Sequence, residues 1–279
     1  MLKIKASVEV TFTPAEFEAL KGRDLSRTTC VVFDVLRATS TMATALANGA
    51  AAIVPVASIA EALRLREEQS AILLAGERAG ARIRAFLAGG IDFDLGNSPR
   101  EFTRDKVQGK TIVMTTTNGT RALRACAGAR RVLISSFLNL RATGRFLAKA
   151  GPSPLLLVCG GTEEEAAYED VLGAGALSAL LWPHSSDPEP RVHAAEKSRA
   201  SSDLAWPRSS DTVLADSALM ARRLFAAETA DLAAALGRSR NGRRLLGLEE
   251  LREDVAFCAQ RDRVNLAAGM DRDGKVRVL

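Results

Sequence analysis

A strand buried on both faces of a parallel sheet reads as a short, unbroken apolar run, because helices cover it from either side. This chain repeats that pattern: Cys30-Val31-Val32-Phe33, Ile53-Val54-Pro55-Val56, Ala71-Ile72-Leu73-Leu74, Ile112-Val113-Met114, Val132-Leu133-Ile134 and Leu155-Leu156-Leu157-Val158. Most are followed by a polar cluster and then by helical periodicity, as at Ser40 to Asn48, Ser58 to Gln69, Ala122 to Ala125 and Leu138 to Lys149. Alternating strands and helices predict an α/β fold with a largely parallel β/α core.

The flanks add detail. Ile4, Ala6, Val8, Val10 and Phe12 alternate with polar residues as a strand does, and Thr13-Pro14-Ala15-Glu16 is a capping box opening a short helix to about Lys21. Thr162-Glu163-Glu164-Glu165 has the same form and predicts a helix running to about Leu181. Residues 1–182 thus form an α/β core carrying the main motifs. Residues 183–211, rich in Pro, Ser and charge and holding both His184 and His193, read as a mobile insertion or loop. Residues 212–279 supply C-terminal helices, at 212–236 and 248–260, and a terminal hairpin around Asp273-Gly274 that completes the fold. Within the core, residues 76–110 break the rhythm with glycines at 76, 80, 89, 90 and 96, and irregular stretches of that length are usually functional or disordered.

Composition excludes several classes. With 47% hydrophobic and 25% charged residues the chain is globular, and a net charge of +5 with only 5% aromatics offers no basic–aromatic ladder for nucleic acid. A positive pocket for a small acidic metabolite is the better use of the excess charge. Cys30, Cys126, Cys159 and Cys258 are widely spaced and read as buried free thiols. No apolar run approaches the roughly eighteen residues that would span a bilayer, and no signal-like stretch opens the chain, so a soluble cytoplasmic protein is expected.

The chemistry gathers at predicted strand ends, the edge of an open α/β sheet where ligands bind. Thr115-Thr116-Thr117-Asn118-Gly119-Thr120-Arg121 follows one strand and opens a helix, placing hydroxyls, an amide and free backbone N–H groups where an anion would sit. Asp34-Val35-Leu36-Arg37-Ala38-Thr39-Ser40-Thr41 offers a metal-holding carboxylate, a guanidinium and a Ser40 cap, or else a plain Asp34–Arg37 ion pair. Gly76-Glu77-Arg78 poses the same choice. Glu163 to Glu165 read as helix-dipole partners, whereas Glu169 and Asp170 lie deeper in the predicted helix. An anion cradle beside several carboxylates suggests phosphate chemistry with a hard cation, Mg2+ taking one or two carboxylates and substrate oxygens. The sequence holds no C-x-x-x-x-x-R, no G-x-x-x-x-G-K-[ST] and no G-x-G-x-x-G, and Asp34 is followed two positions on by Leu36 rather than Asp.

Together the Asp34–Thr41, Gly76–Arg78, Phe93-Asp94-Leu95-Gly96-Asn97-Ser98-Pro99, Thr115–Thr120 and Glu169-Asp170 motifs, in this order, resemble the 2-phosphosulfolactate phosphatase family, the ComB-like Mg2+-dependent acid phosphatases. The resemblance runs from about Asp34 to Gly175 and resumes near Asp216-Ser217-Ala218 and Asn241-Gly242-Arg243. Asp92, where the family pattern has glycine, and Val264-Asn265-Leu266, without its proline, depart from it. It implies a ComB-like α/β fold and Mg2+-dependent hydrolysis of 2-phospho-3-sulfolactate to 3-sulfolactate and phosphate, and leaves room for a homo-oligomer. Carried onto this chain, Asp34, Arg37 and Asp94 are the catalytic candidates. Ser40, Thr41, Asn97, Ser98, Thr116, Thr117, Asn118, Gly119 and Thr120 are those for substrate or phosphate, and Asp34, Glu77, Glu169 and Asp170 those for the metal. Water is the expected nucleophile, with a phospho-aspartyl intermediate on Asp34 or Asp94 as the alternative. Two other readings stay open, a phosphatase of another 2-phospho-hydroxy acid and a non-catalytic binder of an anionic metabolite.

Overall fold

The computed structural model describes residues 7–182 and 213–279. The expectation for 183–211, with both histidines, and the start of the first strand at Ile4 and Ala6 therefore lie outside the described residues.

The first half of the chain contains β1 (Ser7–Thr11), α1 (Phe17–Lys21), β2 (Thr29–Phe33), α2 (Ala38–Ala47), β3 (Ala52–Pro55), α3 (Ile59–Glu68), β4 (Leu73–Arg78), β5 (Ala81–Arg82), α4 (Arg104–Val107), β6 (Thr111–Thr115) and α5 (Gly119–Ala125). The second contains β7 (Arg131–Ser135), α6 (Leu140–Ala150), β8 (Leu155–Cys159), α7 (Tyr168–Leu181), β9 (Val213–Leu214), α8 (Asp216–Glu228), α9 (Leu232–Arg238), α10 (Arg240–Leu246), α11 (Arg252–Cys258), β10 (Ala268–Met270) and β11 (Val276–Val278). The predicted rhythm of apolar strand and following helix is present, and β2 and β8 are buried along their whole length, as their unbroken apolar runs require.

All strands join one sheet in the order β5-β4-β6-β3-β11-β10-β7-β2-β8-β1-β9. Two parallel blocks, β4-β6-β3 and β7-β2-β8-β1-β9, flank the C-terminal hairpin, which inserts between them by antiparallel pairing on both sides. Three antiparallel steps in a row (β3 to β11, β11 to β10, β10 to β7) reverse the polarity of one block relative to the other. Sheet twist counters this reversal. At about 20–25° per strand, the five steps from β6 to β2 accumulate on the order of 100°, which swings opposed carboxyl ends toward a common corner. The close approach of Gly119, after β6, to Asp34, after β2, marks that corner.

One apolar core lies between the β7-β2-β8-β1 block and helices α6 to α9, with Phe33, Phe137, Leu172, Leu177 and Phe225 at its centre. A second packs α1, α2 and α5 against both blocks through Val32, Met42, Ile112, Met114 and Leu123. The four cysteines are buried and free, as their spacing implied. No helix among the described residues is long and apolar enough to cross a membrane.

Several local expectations are corrected. Thr162–Glu165 does not cap a helix. Backbone bonds between Thr162 and Glu165 close it into a turn, with Glu163 at φ 59°, and the helix starts at Tyr168. The glutamate side chains engage Arg121 and Arg240 instead, so the pattern loses its capping role to tertiary ion pairs. Glu169 and Asp170 thereby become first-turn residues. Ser40 is not a cap either, since α2 already begins at Ala38, and its hydroxyl donates to the Val35 carbonyl. The helix expected over 212–236 breaks into α8 and α9 because Asp231 accepts from the Ala234 N–H and starts a new helix. Gly76-Glu77-Arg78 lie within β4 rather than after it.

Candidate active site

The loop after β2, the end of β4, the turn after β6, the turn after β8 and helix α10 enclose a cavity of about 330 Å3. Its wall includes Asp34 and Arg37, Glu77 to Gly80, Asn97, Thr116 to Asn118, Gly161 to Glu163, and Asn241 with Arg244.

Asp34 is 8% exposed. Its Oδ1 accepts from the Ala38 N–H at 3.0 Å, while Oδ2 accepts from no described residue. A Cβ on Gly119 would fall 2.6 Å from that Oδ2 and 2.6 Å from the Ala38 Cβ. Only glycine lets the start of α5 come so close to the carboxylate. Burial, opposed by the Ala38 N–H and reinforced by the neighbouring Glu77 and Glu169 charges, raises the Asp34 carboxyl to about 7. Burial likewise raises Glu169, and it raises Asp170 well above the usual range with help from Glu169 and Asp34. These carboxylates share one low-dielectric neighbourhood with more negative charge than it can hold unaided. A cation or a proton relieves that excess.

The expected metal-holding carboxylates differ in what they already do. Glu77 Oε1 accepts from both the amide and hydroxyl of Thr117, at 2.8 and 2.9 Å, and Oε2 from the Gly80 N–H at 2.7 Å. Asp170 accepts from the Val35 and Gly161 amides at 2.7 and 3.0 Å, tying the turns after β2 and β8 together behind the cavity. Glu169 accepts from Asn241 through Oε1, and its buried Oε2 has no partner among the described residues. Buried Asn97 Oδ1 and Asn118 Oδ1 are also unpartnered. No three His, Cys, Asp or Glu side chains among the described residues form a ready-made metal cage. Mg2+ does not require one, because it usually retains waters and uses one or two carboxylates plus ligand oxygens. The donors are all oxygen, the chemistry a hard cation prefers, with Asp34 and Glu77 on the cavity wall and Glu169 and Asp170 behind it.

Of the anion-binding candidates, Asn97, Thr116, Thr117 and Asn118 reach the cavity wall. The others stand behind it. Ser40 bonds the Val35 carbonyl, Thr41 the Asn97 carbonyl at 2.8 Å, Ser98 the Asp254 carboxylate at 2.7 Å, and Thr120 the Thr116 carbonyl at 3.0 Å. Their hydroxyls satisfy buried backbone and carboxylate groups and so fix the loops that carry the wall. Thr117 is partly engaged as well, since its donors face Glu77. Arg121 points outward to Glu164 at 2.9 Å.

Two catalytic candidates change character. Arg37 lines the cavity but does not pair with Asp34. Its Nη1 donates to Asp254 at 2.8 Å and its Nη2 to the Gly80 carbonyl at 2.6 Å. Asp94 is absent from the wall, and its carboxylate takes Arg66 and the Leu74 N–H, pinning residues 92–95 to β4. Asp92 lies farther out and accepts from the Ala85 N–H, so this departure from the family pattern is remote from the cavity.

Three residues beside the cavity are not among the site candidates above, although Arg78 stands in the Gly76-Glu77-Arg78 cluster. Arg78 crosses to the cradle, its Nη2 donating to Thr115 Oγ1 at 3.1 Å, with no carboxylate partner among the described residues. Arg244 and Asp254 come from the C-terminal helices, where basic and acidic residues are too common for one of them to stand out.

Comparison with known proteins adds independent information. The sequence model of the 2-phosphosulpholactate phosphatase family matches residues 15–271. A protein of Symbiobacterium thermophilum, named a probable 2-phosphosulfolactate phosphatase, is 38% identical over 253 residues, 90% of this chain and 91% of its own length. Proteins of the same name from Caldanaerobacter subterraneus and Caldicellulosiruptor saccharolyticus are 42% and 43% identical, the matches spanning 66% and 61% of their own length.

Proposed function

The chain belongs to the 2-phosphosulpholactate phosphatase family, and from that membership we propose that it hydrolyses 2-phospho-3-sulfolactate to 3-sulfolactate and phosphate in the cavity around Asp34, with Mg2+ bound there. One observation carries the reading. The Oδ2 of the buried Asp34, which accepts no hydrogen bond from a described residue, lies against the Thr116–Gly119 turn that the close packing of Gly119 brings to it.

In this reading Asp34 holds the cation, with the unpartnered Oε2 of Glu169 as the second donor. Glu77 and Asp170 act chiefly by orienting the surrounding backbone. The cation supplies Lewis-acid polarisation of the phosphoryl group and neutralises its charge. Arg78, a guanidinium held only by neutral oxygens, donates to the phosphoryl oxygens and stabilises charge that grows in the transition state. Thr116 and Asn118 add donors from the cradle. Arg37, already compensated by Asp254, shapes the loop that presents Asp34. Water attacks phosphorus, the bond from phosphorus to the C2 oxygen breaks, and that oxygen takes up a proton to give the 3-sulfolactate hydroxyl.

Phosphate release from 2-phosphosulfolactate, with Mg2+ and then with excess chelator, tests the proposal. Turnover that chelation abolishes and Mg2+ restores is the expected result. Absence of release with any divalent cation would refute it.

A further inference from the structure

Two guanidinium groups on the cavity wall carry charge that no carboxylate among the described residues offsets. Arg78 is tied to the cradle through Thr115. Arg244, an exposed residue of α10, lines the same cavity, and its side chain makes no hydrogen bond or ion pair to any described residue. Its stem lies over the turn at Gly80, where the Cδ is 3.6 Å from the position a Cβ would take. The nearby acid on the wall, Glu163, is turned to Arg240 at 3.4 Å and does not quench it. Arg37 is already balanced by Asp254.

A phosphomonoester with no other charge needs one cationic wall. This cavity has a second guanidinium on its wall that no described carboxylate offsets. We infer that Arg244 is the specificity determinant that binds the second acidic group of the substrate, a carboxylate or sulfonate near the phosphoester, while Arg78 faces the phosphoryl group. The inference rests on the phosphatase reading above and adds to it the class of substrate selected, phosphorylated small acids over neutral phosphoesters. A planar guanidinium suits either oxyanion, because its paired N–H groups match two oxygens at once.

The test compares the wild type with Arg244→Ala and Arg244→Lys on 2-phosphosulfolactate, 2-phospholactate and p-nitrophenyl phosphate. Losing a charge-assisted contact to the ground state and transition state alike raises KM by about tenfold or more and leaves kcat nearly unchanged. We expect that rise in Arg244→Ala, partial recovery in Arg244→Lys, and no change beyond about twofold on p-nitrophenyl phosphate. A penalty on both acid substrates assigns Arg244 to the carboxylate, and one confined to phosphosulfolactate assigns it to the sulfonate. Equal loss on all three substrates, or none, overturns the inference. Calorimetric titration with sulfolactate separates it from the phosphatase reading. Should the wild type hydrolyse no phosphoester, that reading falls, while sulfolactate binding that disappears in Arg244→Ala still supports the role of Arg244. Binding unaltered in the variant, or absent from the wild type, overturns it.

Discussion

Arg37 donates to Asp254 across 217 residues at 2.8 Å, with the two side chains 3% and 0% exposed. The pair clamps the loop that presents Asp34 to helix α11, and Asp254 also accepts from Ser98, so one carboxylate ties three chain segments together beside the cavity. Removing one partner of a buried pair strands the other charge in low dielectric.

Asp254→Ala is therefore expected to destabilise the fold by about 3–5 kcal/mol, the usual cost of such a break. Chemical denaturation of the purified variant measures it. A loss under about 1 kcal/mol would show that water or loop movement compensates Arg37 and that the clamp is not structural.

Asp34→Asn separates function from stability. The substitution removes a charge from a crowded acidic neighbourhood, so the metal-free variant should melt at or above the wild-type temperature. Phosphatase activity should fall by about a hundredfold or more, the scale seen when a group stabilising the transition-state charge is lost. Retained Mg2+-dependent activity would remove Asp34 from the proposed role.

The raised Asp34 carboxyl also predicts a pH dependence. Its pKa is about 7 in the native state against 3.8 for an ordinary exposed aspartate. The native state thus holds the proton more tightly than the unfolded one. The stability this contributes is complete below about pH 4 and is lost as pH rises through about 7. Metal-free protein should accordingly lose stability between about pH 4 and 7 by melting-temperature measurement, and Asp34→Asn should flatten that slope. Mg2+ competes with the same proton, so its affinity should climb over this window and level off above it.

Gly119→Ala would place a methyl group 2.6 Å from both the Asp34 carboxylate and the Ala38 side chain. Backbone movement to relieve that contact should cost about 1–3 kcal/mol and lower kcat/KM. Unchanged stability and kinetics would mean that α5 does not press on Asp34 as described.

Asp94→Asn tests the remaining alternative nucleophile. Because Asp94 binds Arg66 and the Leu74 amide away from the cavity, kcat/KM should stay within about threefold of wild type, with a stability loss of order 1 kcal/mol. A phosphorylated Asp94 trapped during turnover would contradict the arrangement.

The unbroken apolar runs at β2, β6 and β8 determined, by themselves, a parallel core with polar clusters at its strand ends, because burial on two faces leaves a local mark that needs no knowledge of neighbours. The Asp273-Gly274 turn marked the terminal hairpin, and the polar residues that follow the apolar runs marked the clusters at Asp34, Glu77 and Thr116 to Asn118. Tertiary structure alone decided the order of the strands, with that hairpin wedged between the two blocks, since apolar periodicity does not say which strand lies beside which. It also decided what each polar side chain does. Arg37 found Asp254, Asp94 found Arg66, Thr117 found Glu77, and Glu163 to Glu165 left a helix start for distant arginines. A charged or hydroxyl group takes whichever partner folding brings within about 3 Å, and that partner often lies more than a hundred residues away in the chain.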